Sequence, residues 1–98
     1  MSDRDQKSGD HEISVYLAPA LVQLFRMESA RLRLEARTVD EAIQKLNENW
    51  PGIRDRICEK PDRVRKHINV FVDGYKAQLD THVPRNGQLT ILTAISGG

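Results

Sequence analysis

The stretch Thr38-Val39-Asp40-Glu41-Ala42-Ile43-Gln44-Lys45-Leu46-Asn47-Glu48-Asn49-Trp50-Pro51-Gly52 decides the fold, because hydrophobic periodicity changes there from two to about 3.6 residues. Val39, Ala42, Ile43, Leu46 and Trp50 fall at i, i+3, i+4, i+7 and i+11, which puts them on a single helical stripe. Thr38 and Glu41 have capping-box spacing, and Asp40 sits at the positive end of the helix dipole. Pro51 cannot continue the hydrogen-bond ladder and Gly52 tolerates positive φ, so the pair predicts the helix end. A lone amphipathic helix of this length leaves its stripe exposed; something flat must cover it.

The flanking segments supply that cover. Upstream, Ile13 to Leu17 puts Ile13, Val15 and Leu17 on one face, with Ser14 and Tyr16 on the other. Ala30 to Ala36 likewise turns Ala30, Leu32, Leu34 and Ala36 one way, and Arg31, Arg33 and Glu35 the other. Both read as strands of a hairpin with one solvated face, joined through an irregular apolar connection containing Leu21, Leu24 and Phe25. Downstream, Ile53 and Ile57 predict another helical turn or two, and Glu59 to Lys66 reads as a charged loop. Ile68 to Val72 is the most β-prone segment, Asp73-Gly74 marks a tight turn, and Tyr75 to Leu79 reads as a short return strand. After a second turn at Asn86-Gly87, the run Gln88 to Ala94 makes the last strand, in which Leu89 and Ile91 alternate with Thr90 and Leu92.

Two strands, a helix and a second group of strands give an α+β domain, with one main helix packed across a four- to five-stranded mixed sheet. If Ile68 to Val72 or the last strand returns parallel to the first, the crossover should be right-handed and the arrangement a β-grasp, whose C-terminal strand is central and whose end projects past the sheet. The expected organisation is a flexible N-terminal arm at 1–12, the domain at 13–94 and a free tail at 95–98, ending in Gly97-Gly98. The arm is predicted from its polar, charged composition, which offers little apolar surface to bury. Glycines at the tail's tip can extend, turn either way and pass through a channel too narrow for a side chain.

Composition excludes several functions. The 98 residues fit one domain of the commonest size, with 39% hydrophobic content, 30% charged content and a net charge of +1. There is no global basic bias for nucleic acid or an anionic membrane, no apolar run long enough for a membrane span, and no apolar leader segment. The single cysteine, Cys58, fits a reducing, cytoplasmic compartment and reads as a structural thiol. His11, His67 and His82 lack metal-ligand spacing with one another or with Cys58, so no metal site is expected. Arg54, Arg56, Arg63, Arg65 and Lys66 make a basic stretch, read as a solvated loop balanced by Asp55, Glu59 and Asp62, or as a surface for an acidic partner. The glycines at 52, 74 and 87 sit singly at turns, which is no phosphate-cradling loop.

Four features in order resemble the ThiS/MoaD sulfur carriers, a family of ubiquitin-like β-grasp proteins. They are the Trp50-Pro51-Gly52-Ile53 helix exit, the Ile68-Asn69-Val70-Phe71-Val72-Asp73-Gly74 strand and turn, the run from Asn86 to Leu92, and Ile95-Ser96-Gly97-Gly98. The resemblance covers the chain from about Ile13 to its end, and the longer loop at Pro51 to Ile57 looks more like carriers serving cysteine or siderophore-type sulfur transfer than the shortest thiamine-type carriers. It implies that an E1-like enzyme adenylates the Gly98 carboxylate with ATP, and that a sulfur donor turns the adenylate into a thiocarboxylate for a sulfur-accepting synthase. Gly97 then gives clearance, while Leu92, Ala94, Ile95 and Ser96 dock the partner or, in part, belong to the core. The carrier needs no catalytic residue or bound cofactor of its own, and is expected to be a monomer when free. The family commonly has proline where Thr93 stands, a departure that bears on the choice of partner. Three other readings stay open: the small, MoaD-type subunit of a molybdopterin synthase, a ubiquitin-like modifier joined to lysines through Gly98, and a binding module whose tail is incidental.

Overall fold

The computed structural model describes residues 10–94. Strand β1, Glu12–Leu17, opens one residue before the expected domain boundary and buries Ile13, Val15 and Leu17. It pairs antiparallel with β2, Arg31–Glu35, in the register Val15↔Leu32. The connection between them is more ordered than the sequence predicts: Pro19–Leu24 forms a short helix, α1, with Pro19 in its first turn and Leu21 buried. Proline suits that position because its missing N–H would have had no partner there. Six residues are too few to show a helical period, which is why the alternating runs on either side conceal it.

The main helix, α2, is Val39–Asn49. Thr38 Oγ1 accepts from Glu41 N–H at 3.1 Å, while the Glu41 carboxylate accepts from the N–H of Arg37, one residue before the cap, at 2.6 Å. Val39, Ala42, Ile43 and Leu46 are wholly buried and Trp50 packs against them half-buried. The Trp50 N–H still bonds Leu46 C=O, and Gly52, at φ +100°, turns the chain into α3, Ile53–Ile57. Ile53 and Ile57 add to the same core.

The expected charged loop after α3 is instead a small two-stranded sheet, β3 at Cys58–Lys60 with β4 at Arg63–Val64. Its charged side chains hide it from any hydrophobic pattern. Strand β5, Ile68–Val72, follows, and the Asp73-Gly74 turn, with both residues at positive φ, leads into β6. That strand is only Tyr75–Lys76, shorter than expected. Beyond it Ala77 and Leu79 are buried, and the Leu79 carbonyl accepts from Asp40 N–H at 2.8 Å, so the chain leaves the sheet to seal the start of α2.

Strand β7, Gln88–Thr93, takes the centre of the main sheet, whose order is β2-β1-β7-β5-β6. It runs parallel to β1 and antiparallel to β5, as a β-grasp requires. Leu89 and Ile91 are wholly buried on the face that meets α2 and α3 through the shared core. Strand alternation turns Thr90 and Leu92 to the opposite face.

Candidate functional site

The site lies at the sheet's rim, where β7 ends. Its last paired residue is Thr93, opposite Ile68, and the Ala94 N–H adds one more bond to His67 C=O at 2.7 Å. Leu92 is half-buried beside Asn69, and Ala94 is exposed. Two of the residues proposed for docking are therefore at the rim and on the outer face. Ile95 and Ser96, together with Gly97 and Gly98, lie outside the described residues.

The outer face behind this rim follows from register. Tyr16, Thr90, Phe71 and Lys76 lie in one row across β1, β7, β5 and β6. Arg31 continues the row on β2 and stacks its guanidinium 5.0 Å from the centre of the Tyr16 ring. Lys76 Nζ donates to Asn69 Oδ1 at 3.2 Å, beside Leu92. The result is a half-buried strip of Tyr16, Thr90, Phe71 and Leu92 with cationic side chains at both ends. Sequence reasoning named Leu92 but missed Tyr16, Phe71 and Thr90. The signal was present, since a central last strand makes every outward residue of its neighbours part of one surface.

The basic stretch is largely engaged in structure. Arg54 Nη2 bonds Asp40 Oδ1 on α2 and the Pro61 carbonyl at 2.9 Å, joining three elements. The hydrogen bond to Asp40 raises the Arg54 pKa, against a smaller opposing effect of desolvation. Arg65 Nε donates to Asp55 C=O at 2.8 Å, and Arg63 faces Glu59 at 3.8 Å. Arg56, Lys66 and His67 are exposed, the last two beside the rim. Glu59 is thus one of the balancing acids expected from sequence, but Arg54 takes Asp40 and not Asp55.

Cys58 is only 6% exposed, and burial pushes its thiol pKa up, with Arg54 opposing in part. That environment disfavours the thiolate a nucleophile needs. His11 and His82 do meet, ring edge to face at 5.6 Å, but His11 Nε2 is engaged by Val83 C=O at 2.8 Å and His67 lies at the β7 exit. Among the described residues no group of three or more His, Cys, Asp or Glu side chains is arranged to hold a metal. A cleft of about 520 Å³ runs between the start of β1 and α2 and is lined by Asp10, His11, Glu35, Arg37, Glu41 and Lys45. Its charges are mixed and it lies away from the β7 exit. Among the described residues no helix is long and apolar enough to cross a membrane.

A mixed sheet with the C-terminal strand in its centre and one capped helix across it defines a ubiquitin-like β-grasp. Solved structures place the fold among particular proteins. SAMP1 from Haloferax volcanii is 23% identical, with a TM-score of 0.74 over 89% of this chain and 99% of that one. A chain of the Amycolatopsis orientalis BexX/CysO complex is 24% identical, with a TM-score of 0.76 over 88% of this chain and 99% of its own. Mycobacterium tuberculosis CysO is 20% identical, with a TM-score of 0.74 over 85% and 99%. At these identities the likeness is one of fold. No protein-family model and no curated protein sequence matches the chain.

Proposed function

We propose that the chain is a sulfur carrier of the ThiS/MoaD type whose reacting group is the Gly98 carboxylate. The observation that carries the reading is the central position of β7: the strand is anchored in the core by Leu89 and Ile91 and ends at the sheet's rim, five residues before Gly98. The resemblance in Ile95-Ser96-Gly97-Gly98 and the fold shared with CysO support it. In the proposed reaction an E1-like enzyme joins the carboxylate oxygen to the α-phosphorus of ATP and releases pyrophosphate. Sulfide from a donor then attacks the acyl carbon and AMP leaves, giving a thiocarboxylate. The chain supplies a rigid root and a narrow tip, and the partner supplies the catalytic groups. The strip of Tyr16, Phe71, Thr90 and Leu92, flanked by Arg31 and Lys76, is the docking face for an enzyme with an apolar patch and acidic margins.

The test is ATP–pyrophosphate exchange by the source organism's E1-like enzyme with this protein as co-substrate, followed by intact mass. The expected product, once a sulfide donor is added, shows the mass of one oxygen replaced by sulfur. Absence of exchange with the wild type, or exchange that persists after Gly98 is deleted, rejects the proposal. Gly97→Val is expected to melt like the wild type yet to lose exchange by about 100-fold, the scale of a misplaced reacting group. A second reading has its own support, since one neighbour is named a small archaeal modifier protein. Isopeptide adducts through Gly98 to lysines, in place of the sulfur-containing species, would select it.

A further inference from the structure

The backbone of β7 turns alternately to its two neighbours, and at the exit one side has no backbone partner among the described residues. Residues 88, 90, 92 and 94 turn to β5; the bonds from Asp73 N–H to Gln88 C=O at 2.9 Å and from Ala94 N–H to His67 C=O at 2.7 Å mark the two ends of that row. Residues 89, 91 and 93 turn to β1, where Ala18 N–H donates to Ile91 C=O at 2.8 Å. The register with β1 stops at Leu17↔Ile91. The acceptor that would take the Thr93 N–H, Ala18 C=O, is occupied by Leu21 and Val22 N–H at 3.0 and 3.1 Å, because α1 starts there. Among the described residues, the Thr93 N–H and C=O thus have no backbone partner, and Pro19 and Ala20 beside them are exposed.

A partner that reacts with Gly98 has to come close to this place. Four residues follow Ala94, and at most about 3.6 Å per extended residue they reach roughly 14 Å. The partner's walls therefore stand against the rim, and Thr93 is taken out of water. Buried backbone groups are paired in nearly all native structures, and leaving a donor and an acceptor unpaired there would oppose binding. The β5 side is already filled by His67, so the pairing groups must arrive from the β1 side. We propose that the activating enzyme contributes an extended segment that takes the place vacated by β1, accepting from Thr93 N–H and donating to Thr93 C=O. This is strand addition at the root of the tail, and it rests on Gly98 being the reacting end.

The experiment uses the full chain and the purified E1-like enzyme. Thr93→Pro removes the amide hydrogen, which has no backbone partner among the described residues, so its melting temperature should match the wild type. Its KM in ATP–pyrophosphate exchange should rise about five-fold with kcat unchanged, the scale of one lost neutral hydrogen bond. Independently of that variant's folding, hydrogen exchange at the wild-type Thr93 amide should slow on complex formation while the Leu92 and Ala94 amides, already paired with β5, change less. An unchanged KM in a folded Thr93→Pro protein, or an unprotected Thr93 amide in the complex, overturns strand addition while leaving the carrier reading intact. Protection that grows with the concentration of this chain alone, without enzyme, overturns it in favour of self-pairing. A wild-type protein that supports no exchange at all removes both proposals.

Discussion

At its start, strand β7 is held from every side: Gln88 N–H donates to Asp73 Oδ1 at 2.9 Å, Gly87 C=O accepts from Ser14 at 2.9 Å, Asn86 N–H donates to Glu12 C=O at 2.8 Å, and the Gly87 N–H closes a turn onto Pro84 at 2.7 Å. At its finish, five residues on, the β5 side alone is paired among the described residues, and the neighbouring side chains at 66, 67 and 94 are exposed. One strand therefore joins a tightly fixed beginning to an open end. The contrast separates two jobs that share a backbone. Position is set at the start and through the core, and access is kept at the exit.

Substitutions along β7 should reproduce that gradient. The largest loss is expected at its middle, where Ile91 is wholly buried between β1 and β5: Ile91→Ala should cost about 3 kcal/mol in urea unfolding. A loss below 1 kcal/mol would mean that the core does not anchor the strand. At the start, a Cβ on Gly87 would stand 2.8 Å from the Pro84 carbonyl and 3.1 Å from its Cδ, so Gly87→Ala should destabilise by about 2 kcal/mol through forced displacement of the turn. Tolerance of alanine there would erase the distinction between the two ends. Asp73 sharpens it further, because it both adopts φ +51° and accepts from Gln88 N–H. Asp73→Ala should lose about 1 kcal/mol, whereas Asp73→Asn, which keeps an acceptor and tolerates that φ, should stay near zero. At the exit, Lys66→Ala and His67→Ala should each shift stability by less than about 0.5 kcal/mol, since both side chains are exposed. A larger shift in chemical denaturation would show that the rim is held by more than its backbone.

The sequence made much of this arrangement legible, and the limits have physical causes. Strand alternation in Ile13 to Leu17 and in Ala30 to Ala36, and the helical stripe of Val39 to Leu46, are long enough to reveal both layers. The short α1 was hidden because only Leu21 among its residues is buried, and the β3–β4 pair because Glu59, Lys60 and Arg63 point to water. Val83, wholly buried in a loop, gave no periodic signal because it is held by contacts with Arg37 and His11 from distant parts of the chain. At the site, the chemical group of interest was suggested by Gly97-Gly98, but the open amide of Thr93 was not readable. It exists only because β1 stops opposite Ile91, a fact of register between segments far apart in sequence.

The pairing of β1 with β7 also governs the order of assembly. Ser14 meets Gln88 only after nearly all of the described chain has been made, so the middle of the sheet is a gap until late in synthesis. A nascent chain that stops before Gln88 lacks the sheet's centre, not an edge, and leaves Val15 and Val70 without the strand that lies between them. Completion of the fold therefore waits for β7: no ribosome can display a finished domain that is still missing the strand at the centre of its sheet.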